Sequence, residues 1–156
     1  MILASVPTDL VNAPVELGVL EELAGYHLRR ASSAFANDFG RALAGTGMRQ
    51  VLFGIISVVA ANPGIKQGAA GEVLGIQRAN MVALITELVD QGLVERHVSR
   101  EDRRAFALML SEAGRAKLEE CLVLIRAHEE EMLTDLDIPD RARLIALLMK
   151  IEARER

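Results

Sequence analysis

The chain has 156 residues, a net charge of −4 at pH 7, 51% hydrophobic residues with only 3% aromatic, and a single cysteine. That length suits one domain with a sizeable core, and the lone Cys121 excludes an internal disulfide framework and fits a reducing cytoplasm. No apolar run approaches the roughly 18–20 residues of a membrane span, and residues 1–15 lack the basic start and long apolar stretch of a signal peptide, so a cytoplasmic protein with no membrane partner is expected.

Residues 1–15 read as irregular, with Pro7 and Pro14 as breakers. From Glu16 to Leu43 a helical stripe of Leu20, Ala24, Leu28, Ala31, Phe35 and Phe39 advances in steps of three or four. Gly45-Thr46-Gly47 ends it. Met48 to Ala61 is a second helix, apolar all round and therefore buried. Asn62-Pro63-Gly64 is a turn. A short helix from Lys66 to Leu74 follows, stopped by Gly75 in the position where glycine takes a left-handed conformation cheaply. Gln77 to Gln91 is the next helix, with Met81, Leu84, Ile85 and Leu88 on one face. Beyond Gly92, Leu93 and Val94 on one side and Phe106, Leu108 and Leu110 on the other flank a charged tip, the pattern of a β-hairpin. Ser111 opens a long helix to about Thr134. Pro139 lies in the first turn of a last helix to about Ala153.

A short helix, a tight turn and a second helix make a helix-turn-helix, and the hairpin directly after it makes a wing. The fold class is mainly α with a small β-hairpin wing. The expected divisions are an N-terminal segment and dimerisation helix over 1–47, a winged helix-turn-helix over 48–110, and C-terminal dimerisation helices over 111–156. The terminal helices carry apolar stripes that need a partner, and the same helices of a second copy supply it. Residues 62–110 carry six Lys/Arg and six Asp/Glu, so any nucleic-acid contact is local and geometric, not a broad basic field. There is no Gly-rich phosphate loop, no G-x-S-x-G and no H-E-x-x-H, so neither an enzyme nor a cofactor is expected. Cys121 and His128 share a helical face, but two ligands are not a zinc signature.

The motifs A-A-N-P-G-I-K-Q (60–67), G-E-V-L-G-I (71–76), L-V-D-Q-G-L-V-E-R (88–96), R-E-D-R-R-A (100–105) and L-S-E-A-G-R (110–115) resemble the MarR family of bacterial transcription regulators. The resemblance covers about residues 48–118. It implies a homodimer that places two winged units on a near-palindromic DNA duplex, one recognition helix per major-groove half-site. It also implies regulation of a catabolic or efflux operon, as a ligand-responsive repressor. On the recognition helix, Gln77, Arg78 and Asn80 are the base-reading candidates: Arg78 suits guanine, and Asn80 and Gln77 suit adenine. Gln77 reads equally as the helix cap. Lys66 and Gln67 are candidate phosphate contacts. At the wing tip, Arg103 and Arg104 are candidates for the minor groove or phosphates, Asp102 for holding an arginine in place, and Arg100 and His97 for lesser contacts.

Relatives usually carry Ser/Thr near positions 66, 68, 79 and 80 and a basic residue at 83; here these are Lys66, Gly68, Ala79, Asn80 and Ala83. Phosphate anchoring by the helices is thereby reduced and the wing carries a larger share of the affinity. Gly68 and Gly71 each weaken the short helix by roughly 1 kcal/mol relative to alanine. The same departures motivate an alternative, a winged-helix protein-interaction module with weak or lost DNA binding. Family members often bind an organic effector. Tyr26, His27 and Arg30 are the candidate lining, an aromatic ring beside a guanidinium for an aromatic acid or acyl thioester.

Overall fold

A computed structural model of the chain describes residues 15–98 and 106–154. A short 3-10 segment, Gly18–Glu22, precedes helix α1, Ala24–Ala42. Then come α2 (Gln50–Ala61), β1 (Ile65–Lys66), α3 (Gln67–Val73), α4 (Arg78–Asp90), β2 (Val94–Val98), β3 (Phe106–Leu110), α5 (Glu112–Met132) and α6 (Ile138–Glu152). The fold is mainly α with a three-stranded antiparallel sheet in the order β1-β3-β2. The chain divides after Ala36 into two compact units. The first holds the 3-10 segment and the start of α1. The second begins at Asn37 and holds everything after it.

Two expectations need correction. The helix expected from Glu16 to Leu43 is broken at Leu23, whose backbone is extended (φ −93°, ψ 105°). Leu23 N–H closes the 3-10 segment on Leu20 O, while Leu23 O accepts from Tyr26 and His27 and opens a new helix. An apolar stripe continues through such a break because side-chain spacing hardly changes. The short helix starts at Gln67, not at Lys66, because Ile65 and Lys66 pair with Leu108 and Ala107 as a third strand. A two-residue strand is too short to show alternation. It forms because the Asn62-Pro63-Gly64 turn delivers it: Ile65 N–H donates to Asn62 O (3.0 Å) and Gly64 N–H to Leu108 O (2.9 Å).

The core of the second unit is built around α2. Leu52, Ile55, Ile56 and Val59 have no exposed surface. Their neighbours in the core are Met81, Ile85 and Leu88 of α4, Val94 of β2, Leu108 and Leu110 of β3, and Cys121 and Ile125 of α5. Each fully buried side chain of this size contributes about 1.5–3 kcal/mol. The β2–β3 register sets Val94 opposite Leu110 and Val98 opposite Phe106.

Helix ends follow from their caps. Gly75 and Gly92 end α3 and α4 with φ of 64° and 70°, where side-chain-bearing residues are strained. Ser111 caps α5: its Oγ accepts from Gly114 N–H at 2.9 Å and donates to Gly92 O at 2.6 Å. Asp137 caps α6 by accepting from Asp140 N–H at 2.8 Å, with Pro139 in the first turn. Arg141 staples the α5–α6 corner, donating to Leu136 O (3.0 Å) and Leu133 O (2.9 Å) and reaching Glu130.

Gly114 is where α5 meets the winged unit. A Cβ there would overlap the Leu93 carbonyl oxygen, a backbone atom that cannot rotate away. Gly114→Ala is therefore expected to cost about 1–3 kcal/mol by overpacking. Gly68→Ala, where nothing lies within 4 Å, should instead stabilise by up to about 1 kcal/mol. Urea unfolding of the two variants beside the parent chain checks both signs.

Candidate nucleic-acid interface

Helix α3, the turn at Gly75 and helix α4 form the helix-turn-helix, and Gly71 sets their approach. Ile76 N–H donates to Gly71 O at 2.8 Å. A Cβ on Gly71 would lie 3.2 Å from Ile76 O and 3.4 Å from Met81 Cγ. This glycine, weak for helix propensity, is thus what lets the two helices close. Gln77 holds the N-cap position of α4 but makes no side-chain capping bond. By position it is the cap, and its side chain is exposed.

The outward face of α4 presents Arg78, Ala79, Asn80, Val82, Ala83 and Thr86, all exposed. Arg78 and Val82 share an open groove of about 900 Å³ with Lys66, Gln67, Arg96 and Phe106. The groove brings three cations, Lys66 just ahead of α3, Arg78 at the start of α4 and Arg96 of the wing strand β2, to one surface, with the Glu72 carboxylate of α3 also in its lining. Among the described residues, neither Lys66 nor Arg78 has a carboxylate partner within ion-pair distance. Lys66 has an extended backbone just ahead of α3. Arg96 was not singled out by sequence. It donates to Thr86 Oγ1 at 2.9 Å and so ties the wing to the recognition helix. On the alternate positions of β2, His97 and Glu95 meet at 3.0 Å. Arg100, Asp102, Arg103 and Arg104, the expected wing-tip contacts, lie outside the described residues.

A second concavity, of about 740 Å³, is lined by Phe39, Arg49, Phe53, Gly54, Leu74 and Ile125, among others. Phe39 and Phe53 have ring centroids 6.3 Å apart. Behind them, His128 of α5 stands edge-on to Phe39 and its Nε2 lies 3.1 Å from Asp38 Oδ2. Sequence reading put Phe39 in a core stripe and missed this cleft. Its lining comes from three helices and the turn between α3 and α4, and no periodicity within one helix announces it.

The expected effector cluster is in the first unit. Tyr26 is half-buried and its ring receives Arg29 and Arg30, whose guanidinium carbons lie 5.5 Å and 5.9 Å from its centroid. His27 packs edge-on to Tyr26, and its Nε2 donates to Glu21 O at 2.9 Å. The chain's own arginines thus occupy the ring by cation–π contact.

The family model for the MarR family matches residues 47–105. A putative transcriptional regulatory protein for the hcr operon of Thauera aromatica is 30% identical over 128 residues, 81% of this chain and 77% of the relative. The chain belongs to the MarR family. Members are DNA-binding regulators and not enzymes. Among solved structures, the transcriptional repressor CouR bound to a 23-mer DNA duplex superposes with a TM-score of 0.85 and 34% identity, over 90% of this chain and 99% of CouR. CouR bound to p-coumaroyl-CoA gives 0.78 and 33%, over 92% and 100%. No helix among this MarR-family chain's described residues is long and apolar enough to cross a membrane. Those residues also contain no group of three or more potential metal ligands.

Cys121 lies fully inside the core. Burial pushes its thiol up from the ordinary value and the Glu120 carboxylate adds to this, while Lys117 and a hydrogen bond with Thr46 pull the other way. Less thiolate at neutral pH means slower nucleophilic chemistry. In the folded protein at pH 8, Cys121 should react with Ellman's reagent far more slowly than after unfolding in guanidinium. Equal rates in the two states would remove the argument against a redox role.

Proposed function

We propose that this chain is a homodimeric, ligand-responsive repressor that reads a near-palindromic operator and releases it on binding an aromatic acyl thioester or the parent acid. The observation that carries the DNA reading is the groove in which Lys66, Arg78 and Arg96 converge, where, among the described residues, neither Lys66 nor Arg78 is ion-paired, though Glu72 also lines the groove. Three cations on one face, with the Arg96–Thr86 bond aligning wing and recognition helix, suit two strands of phosphates flanking a major groove. Arg78 stands at the start of the recognition helix, where side chains reach base edges, with Asn80 and Gln77 beside it. Lys66 and Gln67 are the phosphate contacts in this reading, with Arg100, Asp102, Arg103 and Arg104 of the wing tip as the further contact residues. CouR bound to a DNA duplex supports this reading over a protein-interaction module.

Dimerisation is supported by apolar side chains left exposed on α6, including Ile138, Ile145, Leu147, Met149 and Ile151. In the first unit Val19, Leu20, Leu23 and Leu28 are likewise exposed. Apolar faces of this extent are covered by a partner in stable proteins.

For the effector, the Phe39–Phe53 cleft is the better receptor: it is concave, largely apolar and aromatic, and carries one cation, Arg49, in its lining. CouR in complex with p-coumaroyl-CoA supplies the chemical class. The Tyr26, His27 and Arg30 cluster is the rival position. Catabolism of such acids is the process the repressor would control.

Two outcomes are expected. On duplexes selected from genomic fragments, Arg78→Ala and Arg104→Ala should each weaken binding by about 1–3 kcal/mol, and affinity should fall steeply, by orders of magnitude, from about 50 to 200 mM salt. Selection at low salt that enriches no sequence defeats the DNA reading. p-Coumaroyl-CoA should raise the melting temperature, since a ligand at 100 times its Kd adds about 2.7 kcal/mol. The rise should be lost in Phe53→Ala and kept in Tyr26→Ala; the reverse pattern moves the effector to the N-terminal cluster.

A further inference from the structure

Arg49 belongs to two places at once. It lines the aromatic cleft, and its Nη2 pairs with Glu87 Oε2 in the last turn of the recognition helix. It sits at the N-cap of α2, where its backbone is extended (φ −113°, ψ 156°) and not yet helical. Among the described residues this is the one ion pair that joins α2 to α4. Its side chains are 57% and 37% exposed, so water competes for both partners and the pair exchanges at low cost. The other charged residue lining the cleft is Glu129 of α5.

We propose that Arg49 is the exchange residue of this regulator: an anionic group on an effector in the cleft takes the guanidinium from Glu87. The inference rests on the cleft reading given above and adds how occupancy reaches the DNA-reading helix. A guanidinium presents a planar fork that fits one carboxylate or phosphate bidentately. Engaging the effector with that fork turns it away from Glu87. The C-terminal turn of α4 then loses its charge link to α2, while the opposite end of the same helix carries Arg78. Glu129 repels a second anion, so the effector's charge is held at the Arg49 rim and its apolar body lies toward Phe39 and Phe53. The ligand class is therefore an aromatic or apolar body with an anionic group at one end.

The test is isothermal titration of p-coumaroyl-CoA into the full chain and two variants, each checked for folding by circular dichroism. Glu87→Gln removes the competitor and should bind about two- to fivefold tighter. Arg49→Gln removes the charged donor and should bind about tenfold or more weakly. Both variants cut the same bridge, so a merely structural bridge would shift affinity in the same direction in both, and that result overturns the exchange. Coupling is reciprocal: the ratio of p-coumaroyl-CoA affinities for free and duplex-bound protein should shrink in Glu87→Gln. An unchanged ratio also overturns it. Binding that is lost in Phe53→Ala but indifferent to Arg49 and Glu87 keeps the cleft and defeats the exchange. No binding to the parent chain defeats both.

Discussion

The winged unit depends on the complete burial of one face of α2. Leu52, Ile55, Ile56 and Val59 are closed off from water by α4, the sheet and α5 together. Removing that much apolar surface is the largest favourable contribution in this part of the chain. It also puts α2 in one core with the recognition helix and the wing. The recognition helix rests on it through Met81, Ile85 and Leu88, and the wing through Val94 and Leu108. The cleft proposed for the effector opens at the start of the same helix, at Arg49, Phe53 and Gly54. A packed interior transmits displacement because it has little free volume to absorb it. Under the proposed function, a ligand in that cleft and DNA on the outer face of α4 would thus be mechanically coupled through α2.

Polar contacts then fix angles that burial leaves open. Ser111 ties Gly92 and Gly114 together, which joins the end of the recognition helix, the end of the sheet and the start of α5 within a few residues. Gly114 over the Leu93 carbonyl makes that junction closer than any side chain would allow. Arg96 on Thr86 does the same between wing and recognition helix. These contacts are individually small, about 0.5–1.5 kcal/mol net, but each selects one arrangement of elements that burial alone would hold in several.

The fold was largely legible along the chain. The Ser111 start of α5, Pro139 in the first turn of α6, and the glycines at 75 and 92 are local signals, and the structure uses each where it was read. What escaped was set by distant partners. The strand Ile65–Lys66 exists because Leu108 and Ala107 lie beside it. The break at Leu23 leaves the apolar spacing intact and so leaves no mark on the pattern. Gly71 reads as a flaw in a short helix and is in fact the contact point with Ile76 and Met81.

The candidate site divides the same way. Sequence by itself determined the helix-turn-helix, the strands of the wing, and the placement of Arg78 at a helix start, because these follow from turn chemistry and periodicity within a few residues. Tertiary structure alone decided that Arg96 meets Thr86, that Phe39 and Phe53 share a cleft, and that Arg49 meets Glu87 across 38 positions. The physical reason is range. Backbone preferences act over a turn or two, whereas a cleft or an ion pair between helices exists only once the burial of α2 has brought those helices together.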